Sequence, residues 1–290
     1  MKLNIRSPEW VKRVFRHWSL WVLLAIALGV VSGNFVFDTF IGKPNVGIVQ
    51  INSLLYPWTL PRIAEMLKYV AENDKIKAVV LEIDSPGGDA VSSEEIYLEI
   101  LELRKKKPVI AHINLVGASG AYYVSLAANL IYAKSTTTLG SIGAWVQLPE
   151  HETMPEDVIW TGPYKETGSS IRETVNRLEM FKQNFLQTVT SQRGDKLKIS
   201  QDELSKAGIY NGIESLRYGL IDEFGSSSQA IQKAAELAGL RNYGTVDVNT
   251  ELDVYLPAWW TFSWSAEASK IHSNMLPIYY YLYTSPEAQE

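Results

Sequence analysis

The chain has 290 residues and a net charge of −5, and 46% of its residues are hydrophobic and 20% are charged. This composition is typical of a globular protein with one large or two small domains, and it lacks the basic surface by which proteins bind nucleic acid. Cysteine is absent, which excludes disulfides, thiol catalysis and cysteine-ligated zinc.

The N-terminal segment combines a basic region, residues 1–17, with an uncharged apolar stretch from Trp18 to Phe37. A helix of this stretch would be about 30 Å long, which is the thickness of a bilayer core. Because basic flanks stay in the cytoplasm, we expect residues 18–37 to be a transmembrane signal anchor, with the rest of the chain outside the cytoplasm. The alternative is a signal peptide that is cleaved at the small residues Ser32 and Gly33.

Beyond a linker over residues 38–45, segments typical of strands and helices alternate within residues 46–250. The predicted strands are "VGIVQI", "AVVLEI", "PVIAHIN" and "LIYA", and the predicted helices cover residues 61–72, 91–105 and 119–127. From residue 170 onward the pattern is helical, with Leu178, Phe181, Phe185 and Val189 on one face. The alternation predicts an α/β layered domain with a largely parallel sheet.

The segment "DSPGGDA", Asp84–Ala90, connects a predicted strand with a predicted helix. Pro86 lacks a backbone N–H, while Gly87 and Gly88 allow unusual backbone dihedrals and the close approach of a ligand. Such a turn can direct free amides toward a developing negative charge. A plain strand-to-helix turn is the alternative explanation of the same residues.

The segment "GASGAYY" forms a second strand-to-helix junction and contains Ser119. A serine at the start of a helix lies where free N–H groups favour an oxyanion, so Ser119 is a candidate nucleophile. The alternative is that Ser119 only caps the helix. The two junctions are more informative together, because one offers a nucleophile and the other offers amides.

A serine hydroxyl needs a base to become a nucleophile at neutral pH. The histidines are His17 beside the apolar stretch, His112 within a predicted strand, His151 in a loop and His272 in the tail. We expect His112 to be packed in the strand, which leaves a lysine as the base. The candidate is Lys165, in the loop "TGPYKETGSSIRE"; a solvated surface charge is the alternative, and Lys134 is expected at the surface.

Four sequence blocks in order resemble the signal peptide peptidase A family of membrane-anchored serine proteases, also called protease IV-like. The blocks are "DSPGGDA", "GASGAYYVSLAANLIYAKSTTTLGSIG", "TGPYKETGSSIRE" and "NGIESLRYGLIDEFGSSSQAI". The resemblance runs from about Val46 to Leu240. It implies the Clp protease/crotonase fold, a spiral of ββα units, preceded here by one transmembrane helix.

The resemblance also implies roles for individual residues. Ser119 matches the nucleophile of the family and Lys165 matches its general base. The amides of Gly88 and Gly120 match the oxyanion hole, which Gly87 shapes, and Ser141 matches a serine close to the lysine. The Clp proteases carry a histidine where this chain has Ala144, and this difference favours a Ser–Lys dyad.

The resemblance therefore implies a membrane-anchored, extracytoplasmic serine endopeptidase. Its expected substrates are hydrophobic peptides, such as cleaved signal peptides or fragments of membrane proteins. No metal and no organic cofactor are expected, and the expected partners are the lipid bilayer and further copies in a homo-oligomeric ring. The alternatives are a dedicated protease for a stomatin-type membrane partner, an inactive membrane scaffold, and acyl-CoA chemistry on the same fold.

The C-terminal tail, residues 251–290, is rich in aromatic residues and proline, as in "YLPAWWTFSW" and "LPIYYYLY". Tryptophan and tyrosine favour the boundary between membrane and water. We expect residues 255–283 to lie against the bilayer or to cover the catalytic mouth. Ordinary packing of the tail on the domain is the alternative.

Overall fold

The computed structural model describes residues 9–36, 43–146, 161–162, 164–165, 168–261 and 279–282. Its contacts divide the chain into two units, Met1–Lys43 and Pro44–Glu290. The first unit contains helix α1, Glu9–Val36. Within the residues that the structure describes, none of the helices combines the length and the apolarity needed to cross a membrane.

The second unit alternates strands with helices, as the sequence predicts. Its strands are β1 (Asn45–Ile51), β2 (Ile76–Ser85), β3 (Gly87–Asp89), β4 (Val109–Ala118), β5 (Leu130–Ala133), β6 (Thr138–Gly140), β7 (Trp145–Val146), β8 (Ile209–Asn211), β9 (Glu223–Phe224), β10 (Gly244–Asp247) and β11 (Tyr279–Leu282). Its helices are α2 (Leu60–Glu72), α3 (Ala90–Lys106), α4 (Gly120–Ser125), α5 (Ile171–Arg193), α6 (Gln201–Leu204), α7 (Gly212–Arg217), α8 (Ser227–Leu237) and α9 (Val248–Glu251). Short 3₁₀ turns follow α5 and cover Trp259–Thr261.

The main sheet has the strand order β10-β1-β2-β4-β5-β9, and these neighbours are all parallel. The short strand β6 extends the end of β4 in parallel and pairs antiparallel with β8. A separate small sheet has the order β3-β11-β7 and is antiparallel. The structure confirms the mixed α/β fold with a parallel sheet, whereas the small sheet has no counterpart in the sequence prediction.

Helices cover both faces of the main sheet, which explains why the central strands are almost continuously apolar. Alternate residues of β2, such as Val79 and Leu81, pack in a large core that includes residues of α2, α3 and α4. The residues between them, such as Ala78 and Val80, pack against α8. The small residue Ala234 brings that helix close to the sheet.

Two boundaries differ from the sequence prediction at the motifs. β4 continues to Ala118, and α4 ends at Ser125, so the helix is shorter than the predicted 119–127. The "DSPGGDA" segment is not a simple turn, because Gly87–Asp89 forms strand β3. Tertiary pairing extends the strands to the motifs: β4 is prolonged because Ser85 pairs with Gly117 and Ala118 pairs with Gly140. Gly87–Asp89 is a strand because it pairs with β11 and its Gly88 bridges to Leu55.

Candidate active site

Ser119 lies between the last residue of β4 and the first residue of α4, with no loop between the two elements. Its backbone has φ 52° and ψ −122°, and the residue is 1% exposed. A positive φ in a residue other than glycine costs about 1–3 kcal/mol, and such strain is concentrated at functional sites. The sharp strand-to-helix junction is similar to the turns that present nucleophilic serines in α/β-hydrolases.

Backbone hydrogen bonds hold Ser119 in this conformation. Its N–H donates to the carbonyl of Gly140 over 2.7 Å, and its carbonyl accepts from the N–H of Tyr123 over 2.9 Å. Its side chain makes no hydrogen bond that caps α4. The capping role that the sequence leaves open is therefore not the role of this hydroxyl.

Ser141 directly follows the residue that binds Ser119. It also has a positive φ, 53°, and its N–H donates to the carbonyl of Gly208 over 2.8 Å. The backbone thus places Ser141 beside the nucleophile candidate. Sequence reasoning missed Gly140, although this glycine belongs to the block "LGSIG" that carries Ser141.

Gly88 is the middle residue of β3, and its neighbours are bound to Leu55. The N–H of Leu55 donates to the carbonyl of Gly87 over 2.9 Å, and the N–H of Asp89 donates to the carbonyl of Leu55 over 2.8 Å. Because N–H and C=O groups alternate in direction along a strand, those of Gly88 face away from Leu55. A Cβ on Gly88 would lie 2.0 Å from the carbonyl oxygen of Leu55, so only glycine fits this position.

Gly120 and Gly87 complete the surroundings of the serine. Gly120 begins α4, so its N–H has no acceptor within the helix. Gly87 has φ 103°, which glycine adopts at low cost, and its N–H donates to the hydroxyl of Ser85 over 3.1 Å. Since α4 packs against β3, the segment that begins with Gly120 lies next to the segment of Gly87 and Gly88.

Lys165 differs from the serine in its surroundings. It lies in a turn in which its N–H donates to the carbonyl of Gly162 over 3.4 Å, and its side chain is exposed. A lysine accepts a proton only as a neutral amine, and burial among apolar neighbours favours that form. The apolar and aromatic residues near Lys165 in sequence are Val158, Ile159, Trp160 and Tyr164. Tyr164 is itself 47% exposed, and Val158, Ile159 and Trp160 lie outside the described residues. The expected burial of the amine is therefore not found in this single chain.

His112 is packed within the sheet, as the sequence predicts. It is 1% exposed, and its Nδ1 lies 2.8 Å from Oε2 of Glu82 on the neighbouring strand. Burial alone would raise the pKa of Glu82, but the hydrogen bonds of His112 and Ser227 lower it. Through the two-residue alternation of β4, His112 lies on the face of Ile110, which packs against α8. Its side chain is therefore packed on this face of the sheet and is not a partner of Ser119.

Lys134 is at the surface, as expected, and its Nζ donates to the side chain of Asn114. The first part of the tail packs on the domain: Leu256 is buried, and the N–H of Trp259 donates to the carbonyl of Asn52 over 3.0 Å. Further along the chain, β11 lies next to β3. The residues from 262 to 278 lie outside the described part, and contact of the tail with a bilayer stays a prediction.

Comparison with known proteins identifies the family. Residues 102–241 match the model of peptidase family S49. A putative protease of Methanocaldococcus jannaschii is 30% identical over 64% of this chain, and the alignment covers 64% of that protein. A putative protease of Synechocystis sp. is 32% identical over 68% of this chain and 76% of that protein.

The chloroplastic serine protease SPPA of Arabidopsis thaliana is 32% identical over 62% of this chain, which corresponds to 28% of the plant protein. The aligned region thus covers 76% of the Synechocystis protein, 64% of the Methanocaldococcus protein and 28% of the plant protein. The residues 102–241 that match the family model contain the junction of β4 with α4 and the loop of Lys165. On this sequence similarity, the chain belongs to peptidase family S49.

Proposed function

We propose that the chain is a serine endopeptidase in which Ser119 attacks the peptide bond and Lys165 accepts its proton. The observation that carries this proposal is the backbone of Ser119, which is buried and strained at a junction without a loop. The surrounding structure maintains this conformation at a cost in stability. That cost is expected where a hydroxyl must be presented to a substrate.

The proposed reaction has two steps. In the first, Oγ of Ser119 bonds to the carbonyl carbon of the substrate while its proton passes to Nζ of Lys165. The lysine then gives this proton to the leaving nitrogen as the C–N bond breaks. In the second step, water gives a proton to the same amine while its oxygen bonds to the acyl carbon. The amine then returns this proton to Oγ as the ester C–O bond breaks, so that Ser119 recovers its hydroxyl and the acid product is released.

The amides of Gly88 and Gly120 are proposed to stabilise the negative charge of the tetrahedral intermediate. Two N–H donors directed at an oxyanion lower the barrier by about 3–4 kcal/mol each in a comparable site. Ser141 is proposed to hold the lysine amine toward Ser119 by a hydrogen bond. This mechanism requires no metal and no organic cofactor.

The exposed position of Lys165 supports a role for assembly in this mechanism. A lysine accepts a proton only as a neutral amine, and removal from water favours that form. Helix α5, which begins shortly after the lysine, exposes apolar side chains: Ile171 is 63% exposed, Val175 57% and Met180 69%. We propose that a second copy in a homo-oligomeric ring covers this surface and the lysine loop together.

We further propose that α1 anchors the protein in the membrane and that the catalytic unit lies outside the cytoplasm. This proposal is supported by the basic region over residues 1–17. It is also supported by apolar side chains of α1 that are exposed, such as Leu20 at 61% and Leu23 at 63%. Such a location would bring hydrophobic peptides, including cleaved signal peptides and fragments of membrane proteins, to the site. Protease added outside intact cells or spheroplasts should degrade the catalytic unit; protection of that unit until the membrane is opened would contradict this orientation.

The decisive experiment is labelling of the serine with a fluorophosphonate probe, combined with hydrolysis of a panel of hydrophobic peptides. The wild-type chain should be labelled at Ser119 and should cleave peptides, and Ser119→Ala should do neither. Ser125→Ala is the matched control, because the hydroxyl of this buried serine of α4 donates to the carbonyl of Tyr122 within the same helix. Absence of labelling and cleavage in the wild type would favour an inactive membrane scaffold instead.

A further inference from the structure

The C-terminal strand β11 lies in the middle of the small sheet, between β3 and β7. Tyr281 is paired with Gly88 of β3, and Tyr280 is paired with Trp145 of β7. Both pairings are antiparallel. We call the space between β3 and β7 the peptide groove. One side of the groove is β3, which contains Gly88. The other side is β7, which begins at Trp145, shortly after Ser141 in the sequence.

The backbone of Gly88 is directed at this strand. Its two neighbours in β3 are bound to Leu55, so the N–H and C=O of Gly88 point to the other side of β3, where Tyr281 is its partner. Helix α4, which begins directly after Ser119, also contacts β11. The amide that would stabilise an oxyanion therefore faces the backbone of the chain's own tail.

A second part of the tail is attached close by. The carbonyl of Tyr255 accepts a hydrogen bond from Nη1 of Arg62 over 2.6 Å. Nε1–H of Trp259 donates to Oδ1 of Asp84 over 3.4 Å. Asp84 begins the segment that contains Gly88, so the tail contacts this segment on both sides of residues 262–278.

We propose that residues 279–282 are a built-in occupant of the peptide groove, which keeps the enzyme latent until this strand leaves. The inference rests on the proposed function, because it assigns the groove to the substrate of the same site. A substrate would take the place of β11 as an extended segment that pairs with β3 and β7 at once. This mode of binding is strand addition, in which main-chain hydrogen bonds supply affinity.

The proposal predicts that β11 affects the binding of a peptide more than the chemical step. A tethered strand competes at an effective concentration on the order of millimolar. If the groove is free in only about 1–10% of the molecules, the apparent affinity for a peptide falls by about 10- to 100-fold. Removal of the strand should therefore lower KM for extended peptides by about tenfold or more, with a smaller change in kcat.

The first experiment compares two shortened chains with the full chain. A chain that ends after Thr261 lacks β11, and a chain that ends after Thr284 retains it and serves as the matched control. We expect the lower KM only in the chain without β11. Equal KM values in all three would overturn the proposal. Fluorophosphonate labelling of Ser119 in the same samples tests the proposed function separately, because this small probe does not need the whole groove.

The second experiment does not depend on catalysis. A fluorescent peptide of residues 276–287 is titrated onto the chain that ends after Thr261 and carries Ser119→Ala. Saturable binding, weakened in a peptide with Tyr281→Pro because proline lacks the N–H that faces Gly88, would support the proposal. Absence of binding up to about millimolar peptide, the effective concentration of the tether, would overturn it.

The full-length Tyr281→Pro variant is a further safeguard, in case the shortened chain does not fold. It keeps the full length of the tail and should show the same decrease in KM as removal of the strand. An unchanged KM in this variant would count against latency.

Discussion

The segment of Ser119 and the segment of Lys165 differ in how strongly the fold determines their positions. Ser119 is 1% exposed, and its backbone is bound to Gly140 and Tyr123 in adjoining elements. Lys165 is exposed, and its backbone N–H donates to the carbonyl of Gly162 in its own turn. One half of the proposed dyad is thus built into the core of a single chain, and the other half lies on its surface.

This difference shows where the regulation of such a site can reside. A nucleophile that is held by sheet and helix is ready before any partner binds. A base at the surface acquires its environment from whatever covers it, whether a second copy or a bound peptide. Activity would then depend on assembly and on occupancy of the groove, while the fold of the serine would not.

The largest expected effect comes from Lys165→Arg. A guanidinium stays protonated and cannot accept the serine proton, so peptide hydrolysis should fall by about 10²–10⁴-fold. Because the side chain is exposed, the free energy of unfolding should change by less than about 0.5 kcal/mol. Hydrolysis rates and urea denaturation measure the two effects.

Lys134→Arg is the matched control for this experiment, since Lys134 is also an exposed lysine near the motifs and its Nζ donates to the side chain of Asn114. It should retain wild-type activity. Substantial turnover in Lys165→Arg would mean that another group accepts the proton.

The next effect concerns the end of α5, the helix that begins after the lysine loop. Arg193 donates to both carboxylate oxygens of Asp222, over 2.9 and 3.0 Å, and the two side chains are 4% and 9% exposed. Removing one partner of a buried pair costs about 3–5 kcal/mol, so Asp222→Asn should lower the free energy of unfolding by about that amount at pH 7. The double variant Arg193→Met with Asp222→Leu should lose less than Asp222→Asn alone.

The same pair gives a pH dependence. Burial alone would raise the pKa of Asp222, but Arg193 and Lys196 lower it in the folded state. A lowered folded pKa stabilises the protein above the unfolded value of 3.8, and this stabilisation is lost as the pH falls through the folded pKa. Urea denaturation between about pH 2 and 5 should show a loss in the wild type that Asp222→Asn lacks. Parallel curves for the two proteins would contradict this assignment.

The sequence predicts the structure around Ser119 better than the surroundings of Lys165. The strand "AVVLEI" and the helix of residues 91–105 are long and periodic, and both are confirmed within one or two residues at most ends. The sheet β3-β11-β7 could not be predicted, because β3 and β7 are too short to show a period and β11 is paired with residues far away in the chain. Solvent exposure of Lys165 is likewise decided by tertiary packing rather than by its neighbours in sequence.

A moderate effect is expected from two glycine substitutions, one in β3 near the serine segment and one in the turn of Lys165. Gly88→Ala places a Cβ 2.0 Å from the backbone oxygen of Leu55, so β3 must shift. We expect a loss of about 1–3 kcal/mol in the free energy of unfolding, the usual cost of overpacking. Gly162→Ala meets no atom within 4 Å, although φ is +85°, and should cost about 1 kcal/mol through backbone strain alone.

Thermal denaturation of the two variants measures this difference. A Gly162→Ala variant that is as destabilised as Gly88→Ala would show that the lysine turn is packed as tightly as the serine segment. The contrast between the two regions would then be wrong.

The smallest effect concerns Asp84, where the tail meets the serine side. Burial raises the pKa of this carboxyl, although the N–H of Val116 and Nε1–H of Trp259 donate to it and Lys134 lies nearby. A raised folded pKa means that the native state binds the proton more tightly, so stability from this group is complete below the unfolded value of 3.8 and is lost as the pH rises through the folded pKa. Asp84 therefore lowers stability at neutral pH.

Asp84→Asn removes this cost and keeps an oxygen that can accept from Val116 and Trp259. We expect the free energy of unfolding at pH 7 to rise by up to about 1 kcal/mol, and the gain to disappear toward pH 3. Asp247→Asn, which changes an acidic residue at the end of β10 instead, is the comparison variant. A loss of stability in Asp84→Asn at pH 7 would mean that the charged carboxylate itself holds Trp259, and with it the tail, on the serine side of the molecule.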